Sequence, residues 1–187
     1  MMIRFNPTEF SINNSFEGAV GCVLGNEGGF VSDLKDRGGI TNYGITLRFL
    51  QGHNIDLNGD GITDERDIIE MTIPQAKWVY RKFIWELNGY DRFIHSDIAT
   101  KAFDMSTNMG ESQATKLLQR AINLLSDVDI VVDGVRGVKT MNMANMLNPF
   151  DLLHEMRLQS MDFYHALVAK RPANAKFLNG WLKRAAQ

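Results

Sequence analysis

A chain of 187 residues that is 44% hydrophobic suits one domain, which at this length buries roughly 70% of its unfolded surface. A single cysteine excludes a disulfide framework and fits synthesis in a reducing cytoplasm; it lies in the apolar stretch Val20 to Leu24 and reads as a small core residue. The formal net charge of −2 divides into −6 over residues 1 to 71 and +4 over residues 72 to 187, and nothing resembles a nucleic-acid motif. Lys170, Arg171, Lys176, Lys183 and Arg184 follow Asp162 with no acid among them, a solvated helix face or a contact for an anionic envelope.

In chain order, the N-terminus lacks the apolar stretch of a secretory signal, and no run reaches the length of a membrane span. Ser15 is placed to cap a first helix ending at Gly28. On it Phe16, Val20, Val23 and Glu27 share one face. Gly38-Gly39 and Gly44 bracket a short strand or hairpin from Ile40 to Thr46, and a second short helix is expected from Thr46 to Gly52. Thr72-Ile73-Pro74-Gln75 is a capping box opening a helix through about Glu86. Ser96 is placed to cap a helix ending at Gly110, and another covers Glu111 to Leu125. After the Asp133-Gly134 turn come helices near 138 to 147, from about Pro149 to Lys170, and near 174 to 185. The chain is mainly α, with a small β element and no internal repeat.

Two segments carry chemistry. Glu27 ends the apolar stripe, and a carboxylate that loses hydration has its pKa raised. Such an acid can protonate a leaving oxygen, as glycosidic cleavage requires; the alternative is a helix-ending Glu whose head reaches water. The second segment is D-L-N-G-D-G-I-T-D-E-R-D, residues 56 to 67. Asp56, Asn58 and Asp60 fill positions 1, 3 and 5 of a calcium loop. Gly61 supplies the turn at position 6, Ile62 a carbonyl, Asp64 position 9 and Asp67 position 12. The alternative is an acidic turn without an ion. Its twelfth residue is Asp, as in the dockerin-like loops that this segment resembles.

The four histidines form no H-E-x-x-H or Cys/His cluster, so a zinc amidase is not expected and no metal is expected in catalysis. His154 and His165 share a helix face three turns apart, and His53 and His95 stand alone.

The run E-G-G-F-V-S-D-L-K-D-R-G-G-I-T-N-Y-G-I-T, residues 27 to 46, resembles the signature of glycoside hydrolase family 108, the phage and bacterial N-acetylmuramidases. Phe30 replaces the usual tyrosine, and Leu34 stands where proline is common. Later pieces, Tyr80 to Trp85, residues 103 to 110, L-L-Q-R-A, D-G-V-R-G and G-W-L-K-R, resemble the peptidoglycan-binding region that usually follows. The resemblance implies a mainly α, lysozyme-like single domain with a β-hairpin near the active site. Residues 15–90 would hold the catalytic signature, with the calcium-loop insertion at about 53–70, and 91–187 the helical peptidoglycan-binding part.

It further implies Glu27 as general acid, Asp36 as second carboxylate and Thr41 positioning water. Tyr43, Asp104 and Asn108 would contact sugar, although helix-surface polarity accounts equally for the last two. The substrate would be peptidoglycan, cut between N-acetylmuramic acid and N-acetylglucosamine. The enzyme would be a monomer made in a host cytoplasm, released through a holin without stable membrane insertion, and active in the periplasm or wall. Calcium would be structural. The alternatives are a lytic transglycosylase and a non-catalytic calcium-gated peptidoglycan-binding or secretion-assisting protein.

Overall fold

A computed structural model describes residues 2–7, 14–27 and 40–187, with the side chains of Asn14 and Glu27 excepted. The chain is mainly α and forms two compact units, Met1–Leu87 and Asn88–Gln187.

In the first unit, β1 (Ile3–Arg4) pairs in parallel with β4 (Ile55–Asp56), so Ile3 faces Ile55 and Arg4 faces Asp56. Helix α1 (Asn14–Glu27) buries Phe16, Ala19, Val20 and Val23. Phe16 meets Trp85 edge-on at 5.6 Å, the geometry that aromatic quadrupoles favour. Cys22 is exposed, contrary to the core position expected of it. At about 100° per residue it stands some 200° around the helix from Val20, off the buried face.

The hairpin β2 (Thr41–Asn42) and β3 (Ile45–Thr46) pairs Thr41 with Thr46 and Asn42 with Ile45. Thr46 then caps α2 (Leu47–His53), its hydroxyl accepting from the Phe49 N–H. The loop 57–64 leads into α3 (Glu65–Ile69), and the Thr72–Gln75 capping box opens α4 (Ile73–Tyr80). The expected continuation of α4 to Glu86 is instead a π-helical turn, Arg81–Glu86. A π turn accommodates an extra residue, and here Phe83 and Trp85 both face the core.

The second unit follows a short 3-10 turn (Tyr90–Arg92) with α5 (Ser96–Met109), α6 (Glu111–Leu125), α7 (Val138–Met146) and α8 (Pro149–Lys170). A 3-10 turn (Pro172–Phe177) and α9 (Leu178–Ala186) complete it. Ser96 is the first helical residue of α5 rather than its cap, and His95 takes the cap position without a side-chain bond. Asn148 and Pro149 start α8 in the favoured order, the Asn148 side-chain amide oxygen accepting from the Phe150 and Asp151 N–H groups. The core of this unit is built by Phe103, Met105, Leu117, Leu118, Ile122, Leu152 and Met156.

Arg136 is pinned over the Tyr90 ring, 3.7 Å from its centroid, and donates to Glu111 at 2.6 Å. The Tyr90 hydroxyl donates to the same carboxylate. Burial, with Glu111 adding to it, holds that phenol protonated well above its ordinary range. This clamp fixes one side of the segment that follows α6.

Candidate functional site

Glu27 is the last residue of α1. Its side chain, like Phe30, Asp33 and Asp36, lies outside the described residues. Two contacts near the start of α1 are described. Lys77 donates to Glu17 at 2.7 Å, and the Arg81 guanidinium lies 5.8 Å from the centre of the Phe16 ring. Both contacts tie α1 to the helical segment 73–86.

Thr41 is half-buried at the start of the hairpin. Tyr43 and Gly44 take φ values of 50° and 76°, the positive pair that a tight two-residue hairpin turn requires. A non-glycine residue there costs roughly 1–2 kcal/mol. The turn is steadied by the Tyr80 hydroxyl, which donates to the Tyr43 carbonyl at 2.8 Å. Asn42 is buried and donates to the Ile68 carbonyl at 2.9 Å. The hairpin carrying Thr41 is thus held between α3 and α4. Neither Tyr80 nor Asn42 was marked as a positioning residue by sequence, because their partners lie 37 and 26 residues away.

The 56–67 loop is ordered mainly by its own carboxylates. Asp56 is buried and accepts from the Gly59 and Gly61 N–H groups at 2.7 and 3.0 Å. Asp67 is buried and accepts from the Leu57, Asn58 and Asp64 N–H groups. It also completes the capping box of α3 with Asp64. Asn58 and Asp60 close tight turns onto the Asp60 and Ile62 N–H groups, and Gly61 takes φ 92° at the sharp turn.

Arginines offset part of the acidity: Arg4 pairs with Asp56 at 3.2 Å, and Arg66 with Asp60 and Asp64 at 3.3 and 3.4 Å. The cluster's self-repulsion is therefore relieved in part without a cation. Among the described residues, no three His, Cys, Asp or Glu side chains are gathered as a metal site. Gln75 donates to the Leu57 carbonyl at 2.7 Å, which joins the loop to the start of α4.

Asp104 and Asn108, for which sugar contact and helix polarity were both open, take part in the second unit's own packing. Asp104 is buried and accepts from Arg184 at 2.9 Å. The Asn108 amide oxygen faces the Arg184 guanidinium at 2.8 Å, and its amide nitrogen faces the Tyr164 hydroxyl at 3.1 Å. Arg184 also donates to Thr107 at 3.1 Å. The group joins α5 to α8 and α9, so both polar side chains are engaged inside the helical unit. Burial pushes the Tyr164 phenol up to about 12.

Residues 20–110 match the family model described as glycosyl hydrolase 108, and residues 113–186 match a predicted peptidoglycan domain. No curated protein matches the chain. The solved structure of SagA from Brucella abortus superposes with a TM-score of 0.69 at 26% identity, covering 92% of this chain and 90% of that one. The chain is thus similar to glycosyl hydrolase 108 in its first part and to a predicted peptidoglycan domain in its second, and it is a glycoside hydrolase that acts on peptidoglycan.

Proposed function

We propose that the enzyme is an N-acetylmuramidase that cleaves the β-1,4 bond between N-acetylmuramic acid and N-acetylglucosamine. The observation carrying this reading is the run from Glu27 to Thr46, whose spacing of acid, glycine turns and Thr-Asn-Tyr-Gly falls inside the matched segment. Glu27 gives its proton to the leaving glycosidic oxygen. Asp36 steadies positive charge at the sugar carbon or activates water, and Thr41 orients that water. Tyr43 borders the substrate from the hairpin turn. The setting is phage lysis, with a holin releasing a monomeric enzyme to the wall.

Turbidity loss of purified cell walls tests whether the protein is catalytic. Mass spectrometry of the products then separates hydrolysis, which adds one water, from a lytic transglycosylase, which leaves a 1,6-anhydro end. Products lacking that water would replace the hydrolase reading.

We also propose that the 56–67 loop takes calcium as a structural ion, through Asp56, Asn58, Asp60, the Ile62 carbonyl, Asp64 and Asp67. The order of oxygen donors and the glycine at position 6 support this. Calcium would compete with Arg4 and Arg66 for three of these carboxylates. With an affinity like that of extracellular modules, ~1 mM calcium would add roughly 0.4 to 1.4 kcal/mol of stability. Melting in calcium and in EDTA, for wild type and Asp60→Ala, checks it; identical curves in all four conditions would show an acidic turn held by arginine.

A further inference from the structure

The second unit has a feature that its own packing does not require. Between α6 and the start of α7 lies an open cavity of ≈ 210 Å³ whose lining includes Gln119, Val131, Asp133, Val135, Lys139 and Thr140. Its floor is rigid. Gln119 is buried; its amide nitrogen lies within hydrogen-bonding distance of Asp133, Val135 and Thr140 oxygens, and its amide oxygen accepts from the Gly134 N–H at 2.9 Å. Gly134 has φ 79°, and a Cβ there would stand 2.8 Å from the Ser112 carbonyl oxygen of α6. The Arg136 clamp fixes the next turn. Two of the lining residues are exposed aliphatics: Val131 is 73% exposed and Val135 64%. Beside the cavity these side chains present apolar surface to a ligand.

The cavity's size and chemistry narrow the occupant. It is smaller than the roughly 300–1,000 Å³ of clefts that enclose a whole ligand, so it fits one or two residues of a longer chain. Its lining holds no aromatic ring on which a sugar face could stack. It does offer opposite charges. Asp133 is kept ionised by its hydrogen bonds from Gln119 and the Val135 N–H, and the Lys139 ammonium is held by one long bond to the Asp129 carbonyl at 3.4 Å.

We infer that this cavity binds the peptide stem of peptidoglycan. Aliphatic groups lie against Val131 and Val135, and the ammonium and carboxylate of a diamino-acid residue pair with Asp133 and Lys139. The inference rests on the peptidoglycan reading above and gives the second unit a ligand distinct from the glycan bond that is cut.

The test uses full-length Glu27→Gln protein, so that the wall is not digested, and measures sedimentation with intact sacculi and with glycan strands stripped of peptide by an amidase. Retention on intact sacculi should exceed retention on stripped strands by about tenfold. Lys139→Glu and, separately, Val131→Asp should each remove most of that difference with an unchanged melting temperature, since both residues are exposed. Equal retention on both substrates, or full retention by both variants, would overturn the inference. Active protein assayed on intact sacculi, where peptide and glycosidic bond are both present, reports separately on the muramidase reading. Loss of turnover with peptide-dependent retention intact would sink that reading and leave this one standing.

Discussion

Lys101 gives the second unit a pH dependence whose sign follows from its surroundings. It is 4% exposed in α5, and its ammonium donates to the carbonyls of Ala185 at 2.6 Å and Arg184 at 3.3 Å. Burial draws its pKa down from 10.5 to about 8; Asp104 opposes this and the Arg157 and Arg184 charges assist it. The unfolded chain holds the proton up to 10.5 while the fold releases it near 8. Across that window the unfolded state binds more protons, so stability rises with pH. One proton gives at most about 1.4 kcal/mol per pH unit, so the gain from pH 8 to 10 is about 2–3 kcal/mol. Above pH 10 the sign reverses, because the unfolded chain ionises its tyrosines while buried Tyr164 and Tyr90 keep their protons. Urea unfolding from pH 7.5 to 11 should therefore show a maximum near pH 10 in wild type. In Lys101→Met the rise should be gone and only the fall above pH 10 should remain. The same rise in the variant would refute the assignment to Lys101.

Two further substitutions test how the units are held. Gly134→Ala combines a left-handed backbone with contacts of 2.5 and 2.8 Å to Ser112, so it should cost at least about 2 kcal/mol in urea unfolding. Tyr80→Phe removes the bond to the Tyr43 carbonyl; it should cost about 1 kcal/mol of stability and lower hydrolysis severalfold at temperatures well below melting, read from wall turbidity.

The helices were legible where local chemistry decides. Glu111–Leu125 and Pro149–Lys170 stand where the sequence put them, because the apolar period, Asn148 and Pro149 act over a single turn or along one face. A strand or hairpin was expected from Ile40 to Thr46, and the segment is a hairpin with Gly44 inside its turn. Cys22 sits in an apolar run, but the phase set by Phe16, Val20 and Val23 turns it away from the buried face. The π turn at Arg81–Glu86 adds a residue that a regular helical period does not announce. The pairing of Asp104 with Arg184 was not legible, because the two lie 80 positions apart. Long-range pairs such as this, or Arg136 on Tyr90, depend on packing that one sequence does not display. Glu27 and Asp36, the two residues the function most needs, rest on spacing and family.

The most direct measurement is the rate of peptidoglycan hydrolysis by Glu27→Gln beside wild type, with melting followed on the same samples. Gln keeps the shape of the side chain and removes the transferable proton. Turnover should fall by roughly 10²-fold or more, with the melting temperature unchanged and cell-wall binding retained. Hydrolysis near the wild-type rate would contradict the assignment of Glu27 as the acid that breaks the glycosidic bond.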